Sequence, residues 1–269
     1  MVSFIIVSSS KDIASLKIAE SLIKKYDLKE GKEKFDSYPI FWKDDIKLVK
    51  VKPDLIFSDH LGGLSADAYI FISRHKSESK MPCLTAHFPG NFSHDISYGG
   101  RSKELAYTFP SFHKEYIKRL WLMRESVPSY QIVTEPMHHG PTSLPKPVIF
   151  VEIGSTEKEW KDTKAAEVVS KALIEVMEAM PKYKKVGIGF GGTHYSRKFT
   201  KLLVKSEFAL SAIAPKYALP FIDERILSQM VQKSSQKVGY AFLDKKGLGS
   251  EKAKIIELVT KANLELIKI

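Results

Sequence analysis

One cysteine, Cys83, is the entire thiol content of this 269-residue chain. No intramolecular disulfide can form. A cysteine-rich structural zinc site cannot be built from one thiol, so any metal must be held by His, Asp and Glu. Asparagine is also scarce, at Asn91 and Asn263 only, which with abundant Lys and Glu reads as a thermophile-like surface. No apolar run reaches the roughly 18 residues that a membrane span requires. The apolar start, Met1 to Val7, is too short for a signal-peptide core, so a cytoplasmic address is expected. The His-Glu-x-x-His signature of zinc proteases is missing, and internal repeats and low-complexity linkers are missing too.

What is present is a globular composition with a strong positive bias. Hydrophobic residues make up 43%, enough for a proper interior and too many for a disordered chain. The formal charge is +11. A Lys- and Glu-rich surface accounts for many charges but not for their imbalance, whereas a polyanionic partner does, because cations that neutralise phosphates release counterions.

Apolar runs at Phe4–Val7, Ile46–Val51, Tyr69–Ile72, Gln131–Thr134, Val148–Ile153, Lys185–Ile188 and near 206–213 read as strands. Helical spacing marks 11–25, 111–126, about 157–180, 221–233 and 250–264. Thr156 with Glu159 forms a capping-box pattern. Residues 88–111, rich in Gly, Ser, Pro and aromatics, read as a long loop. The alternation predicts an α/β fold of three layers, a mostly parallel or mixed sheet with helices on both faces, forming one domain over 1–269 with a possible lobe boundary near 128–145. In such sheets the site lies beyond the carboxyl ends of the strands.

Five of the eight histidines fall in segments read as strand-end loops: His75, His87, His138, His139 and His194. Imidazole carries a proton near neutral pH and ligates metals. Hydrolysis of an ester needs an activated water and a stabilised oxyanion, which clustered histidines and a carboxylate can supply directly or with a metal ion. A lone loop histidine is more often a cap for backbone groups; the adjacent pair His138-His139 before Gly140-Pro141 argues for function. Glu152 closes an apolar run, where a carboxylate is costly without a partner, so it reads as a base or as a structural acceptor. Separated loops offer His87, His138, His139, Glu152 and His194 as metal ligands.

Gly187–Gly192 has the spacing of a dinucleotide fingerprint, but no acidic residue follows at about 20 positions, which argues against a nicotinamide site. Gly191 and Gly192 read better as a turn whose N–H groups approach an anion or a developing oxyanion. Cys83 reads as a small buried hydrophobe and Ser8-Ser9-Ser10 as a turn and cap. Arg74, His75, Lys76, Asn91, Arg197, Lys198 and Lys216 are expected around a polyanionic substrate. The 114–124 helix offers a second basic stripe interleaved with Tyr116 and Trp121.

Taken in order, several stretches form a specific set: Ser73–Ser79, Leu84–His87 with Gly90-Asn91, Tyr98–Gly100, His138–Thr142, Val151–Ser155 with Glu159-Trp160, Gly189–Gly192 with His194-Tyr195, Pro215–Ala218, and Leu243-Asp244 with Lys246–Leu248. The set resembles the archaeal and plant type of D-aminoacyl-tRNA deacylase. The resemblance implies hydrolysis of the ester joining a D-amino acid to tRNA, tRNA as partner, zinc as cofactor, a monomer, and a phosphorylase/hydrolase-like α/β fold. It departs at Ser211-Ala212-Ile213, where family members often carry a histidine. That moves the expected catalytic weight to His138, His139 and His194 with Glu152, and leaves His87, His138 and Glu152 as the expected metal set. Two other readings stay open: a metal-dependent amidohydrolase or nucleoside-processing enzyme, and a non-catalytic tRNA-binding protein.

Overall fold

The computed structural model describes residues 2–269. Strand β1 (Phe4–Ser9) is buried along its whole length, because it lies between two parallel neighbours and is covered on both faces. Helix α1 (Ile13–Tyr26) starts at Asp12, whose carboxylate accepts from the Ser15 N–H at 2.9 Å. β2 (Lys29–Phe35) and β3 (Tyr38–Lys43) form an antiparallel hairpin leading to β4 (Ile46–Val51). Then come β5 (Ala68–Lys76), β6 (Cys83–His87), α2 (Pro110–Leu122), β7 (Gln131–Thr134) and β8 (Val148–Ser155). Together these strands make an eight-stranded mixed sheet in the order β2-β3-β4-β1-β5-β8-β6-β7.

After α3 (Glu157–Trp160), α4 (Thr163–Ala179), β9 (Lys185–Phe190), α5 (Arg197–Lys205), β10 (Phe208–Ala214), α6 (Glu224–Gln232), β11 (Tyr240–Leu243), α7 (Lys252–Lys261) and β12 (Glu265–Lys268) complete the chain. β10, β9, β11 and β12 form a second sheet, all parallel. One apolar cluster runs under α1, α2 and α4 and continues through the small sheet. A smaller cluster, with Val7, Tyr69, Phe71 and Phe150, lies on the opposite face of the large sheet, closed by 3-10 turns at Leu55–Phe57 and Asp59–Gly63 and by Leu144. Among the described residues no helix is long and apolar enough to cross a membrane.

Several sequence expectations change here. The segments Ser73–Lys76 and Thr85–His87, read as loops, are the ends of β5 and β6. The helix expected over 157–180 is two helices: the Thr156–Glu159 capping box is present, and Asp162 caps a fresh start. Arg197 and Lys198 open helix α5 instead of lying on a loop. Residues 128–145 hold β7 and the histidine loop, and the second sheet begins at Lys185. The β2–β3 hairpin escaped notice because Lys29–Phe35 is mostly exposed and lacks apolar alternation, as suits an edge protected by charge.

The basic stripe expected on α2 is largely spent on structure. Lys118 and Arg119 pair with Glu115, and Tyr116 is buried. Lys114 is buried, and its ammonium donates to the Leu203 and Ser206 carbonyls at the end of α5. Burial pulls its pKa down to about 8, so it still carries its proton at pH 7. Lys114→Met removes the donor and strands those carbonyls. We expect a loss of about 1–3 kcal/mol, read as a lower urea midpoint; an unchanged midpoint would show that the carbonyls find water instead.

Candidate active site

The two sheets together bring five imidazoles and two carboxylates to one place, four of the imidazoles from the large sheet and one from the small sheet. β5 carries His75 next to its last residue, β6 ends with His87, and the turn after β7 carries Glu135, His138 and His139. β8 contributes Glu152, and the turn between β9 and α5 contributes His194. β8 sits between β5 and β6, in register with Ser73 on one side and Thr85 on the other at Glu152. That register sets Glu152 behind the histidines. Its Oε2 lies 3.2 Å from His75 Nδ1 and 4.0 Å from His87 Nδ1, and it accepts from the Thr85 hydroxyl at 3.5 Å.

Glu135 is the second centre of charge. Its carboxylate oxygens lie 3.2 Å from His75 Nδ1, 3.0 Å from His194 Nε2 and 3.6 Å from His138 Nε2. The Tyr195 hydroxyl stands 3.0 Å from His75 Nε2. His87 and His138 stack with centroids 4.0 Å apart, and His87 Nε2 faces His139 Nε2 at 3.1 Å. His139 takes a left-handed backbone at φ 47, a conformation that costs a non-glycine residue roughly 1–2 kcal/mol. The turn is held by the Gly90 N–H, which donates to the His138 and His139 carbonyls at 3.2 and 2.8 Å.

Burial divides the protonation states. It works against charge on His75, but Glu135 and Glu152 outweigh it and raise that imidazole to about 10. Burial lowers His138 to about 4 and takes His87 and His139 well below their ordinary value. Burial would raise Glu135, yet His75, His194 and His138 hold it below the usual carboxylate range. Burial and the Glu135 charge push Glu152 up to about 7, against the hydrogen bond with His75. The His138 and His139 Nδ1 atoms lie 2.8 and 2.7 Å from the Pro136 and Gly140 carbonyls, which fixes the proton there and leaves each Nε2 with a lone pair.

Three groups of side chains bring ligand atoms close enough for a cation: His87 with His138 and His139, His75 with Glu135 and His194, and His87 with Glu135 and Glu152. The expected trio of His87, His138 and Glu152 is thereby divided between two of these groups. Among the described residues, His87 Nδ1 and both Glu135 carboxylate oxygens are buried with no well-formed hydrogen bond. The Glu135 oxygens thus face only imidazole nitrogens, and a buried carboxylate among imidazoles is a donor set that suits a cation.

The other expected site residues divide. Lys216 is exposed but does not line the cavity of about 290 Å³ formed by His138, His139, Asn91, Tyr98, Tyr217 and Phe221, although its neighbour Tyr217 does. Asn91 uses its amide to donate to the Gly99 and Arg101 carbonyls, so it braces the loop. The Arg74 guanidinium covers Trp160 and donates to the Lys11 carbonyl, and Lys76 is exposed at the end of β5. Lys198 is tied to Asp244 and to the Ile269 carbonyl. The Gly191 N–H donates to the Ala214 carbonyl, which removes it as an oxyanion donor. Ser211 is buried in β10, its hydroxyl on the Met230 carbonyl. Glu135 and Phe221 were not expected at the site, and Tyr98, Tyr195 and Tyr217 lie in stretches that carry the resemblance but were given no role there. The signal for Glu135 was its place three residues before His138.

The family described as D-aminoacyl-tRNA deacylase matches residues 63–267. A D-aminoacyl-tRNA deacylase of Cenarchaeum symbiosum is 38% identical over 82% of this chain and 85% of its own length. The one from Thermococcus kodakarensis is 33% identical over 98% and 99%. A crystal structure of a conserved protein of unknown function, AF0625, superposes with a TM-score of 0.92 at 30% identity, covering 99% of this chain and 95% of that one. With a profile spanning most of the chain and relatives matching it nearly end to end, this chain belongs to the D-aminoacyl-tRNA deacylase family.

Proposed function

We propose that this site hydrolyses the ester between a D-amino acid and the 3′ end of tRNA, with tRNA as its macromolecular partner. The observation that carries the reading is the convergence of five histidines and two buried carboxylates beside one open aromatic pocket. The ester enters next to His138 and His139, where Tyr98, Tyr217 and Phe221 present exposed rings. Unpaired terminal bases stack on such rings.

His138 is the proton acceptor for the attacking water. Its Nδ1 is held by the Pro136 carbonyl, so Nε2 is free to accept. Glu152 has no place in the pocket and serves as a positioning residue for His75 and His87. His75, kept protonated between Glu135 and Glu152, presents positive charge through the Tyr195 hydroxyl to the developing oxyanion. Chirality is read by pocket shape, through contacts that differ in the transition state.

Zinc fits the donor set. Two nitrogen ligands about 2.0–2.1 Å from a tetrahedral ion stand roughly 3.3 Å apart, and His87 Nε2 and His139 Nε2 are 3.1 Å apart. His87 and His139 would hold it through these nitrogens, with Glu135 close by, which leaves His138 Nε2 for the water. Bound there, zinc supplies Lewis-acid polarisation of the ester carbonyl.

The test is deacylation of D-Tyr-tRNA against L-Tyr-tRNA, each with and without a chelator. D-Tyr-tRNA should lose its amino acid while L-Tyr-tRNA keeps it, and chelation should stop turnover until zinc is returned. Equal rates on both isomers, or none on either, would refute the deacylase reading; full turnover under chelation would refute the metal alone.

A further inference from the structure

Beside the site runs a second groove that the ester chemistry does not use. It has a volume of about 400 Å³ and lies between edge strand β7, the end of α2 and helix α5. Its floor is apolar, from Ile132, Val133 and Val204. Its rim carries Arg124, Arg197, Lys201 and Lys205, and no acidic residue lines it.

The rim is ordered. Arg197, Lys201 and Lys205 recur every four residues on α5, so they form one stripe. Each step advances about 6 Å along the helix axis. All three are exposed, and among the described residues none makes an ion pair. Other surface helices of this chain behave differently. Lys24 pairs with Glu20, Lys161 with Glu157 and Lys261 with Glu257, each at four-residue spacing. Helix α5 contains no acidic residue at all. It also opens with Arg197-Lys198, cations placed where the helix dipole favours anions. A helix shaped for stability alone would carry Asp or Glu there, so the pattern calls for an external anion.

The groove also has a direction. Arg197 lies three residues beyond His194, and β7 ends one residue before Glu135. The Ser196 N–H donates to the Thr134 carbonyl, and the Thr134 N–H donates to Thr200 Oγ1 at 3.0 Å, so helix and strand are locked together there. From that junction α5 and β7 both lead away from the histidines.

We infer that this groove holds the acceptor-stem backbone of the tRNA whose 3′ end is in the aromatic pocket; the inference rests on the deacylase reading. Phosphates lie along the Arg197–Lys201–Lys205 stripe with Arg124 opposite, and ribose faces lie on the apolar floor. RNA helices are recognised in this way, by backbone and shape.

The test compares wild type with Lys201→Glu/Lys205→Glu on two substrates: D-Tyr-tRNA and D-tyrosyl-adenosine, which has no stem. On tRNA the variant should show KM raised at least about 10-fold with kcat unchanged. The slope of log KM against log salt should fall by about 1.5, from roughly 0.7–0.9 per lost phosphate contact. On D-tyrosyl-adenosine the two proteins should be equal. Wild-type KM and salt slope on tRNA would overturn the groove, and would leave it to an acidic protein partner. Equal losses on both substrates would also overturn it, since the effect would then be on the site. If wild type deacylates neither substrate, the deacylase reading fails by itself. The groove is then judged on uncharged tRNA in a filter-binding titration, where equal affinity of the two proteins overturns it.

Discussion

Glu135→Gln should lower kcat for D-aminoacyl-tRNA by about 10²–10⁴-fold, the range expected when a positioned acid–base constellation is broken. Glu135 is 1% exposed and faces His75, His138 and His194 together. An amide of the same shape keeps the packing and removes the charge. His75 then loses the strongest of the groups that raise it and titrates lower. Its positive charge is left against Glu152 alone. The variant should also bind zinc more weakly if the Glu135 oxygens belong to the cation's surroundings, because a neutral amide is a poorer partner for a dication. Stability should fall as well, since removing one member of a buried charge pair typically costs about 3–5 kcal/mol. Steady-state kinetics, metal content and a denaturant midpoint measure the three effects. A kcat within threefold of wild type would remove Glu135 from the chemistry.

Gly140→Ala is the second large effect, and it acts through backbone alone. A Cβ at Gly140 would stand 2.2 Å from the Gly100 nitrogen and 2.6 Å from the Gly99 carbonyl carbon. Those atoms belong to a turn at φ 78 and φ 75, itself pressed against the Ile56 carbonyl, so it has nowhere to retreat. The displacement passes to His139, whose carbonyl accepts from the Gly90 N–H, and to Tyr98, whose carbonyl accepts from the Gly140 N–H. A shift of about 1 Å in such a site costs about 10²-fold in rate, and overpacking adds roughly 1–3 kcal/mol of instability. Gly63→Ala is the control, because a Cβ there meets nothing within 4 Å. If Gly140→Ala keeps kcat/KM within twofold of Gly63→Ala, the loop is not what holds the histidines in place.

Some of this site was open to reading along the chain. His138-His139 stood out because two adjacent imidazoles before a Gly-Pro turn rarely serve only as caps, and both line the pocket. Glu152 drew notice because a carboxylate in a run of β-branched residues needs a partner, and it has His75. Glu135 did not, because a lone glutamate after a strand looks the same whether solvated or buried. Arg197 and Lys198 were indistinguishable neighbours until the fold turned Lys198 to Asp244 and left Arg197 facing the groove. The stripe on 114–124 looked like an RNA surface, but Lys114 closes the end of α5 from inside the core.

The residues by themselves determined the α/β alternation, the positive charge, the reliance on His and Glu for any metal, and the family, since each is local or compositional. The partners were decided by tertiary structure. His75 meets Glu152 across 77 positions and Tyr195 across 120, distances that depend on strand order and register. Hydrophobic periodicity encodes which face of a strand is buried, not which strand lies beside it, so the assembly of the site became visible only once β8 was seen between β5 and β6.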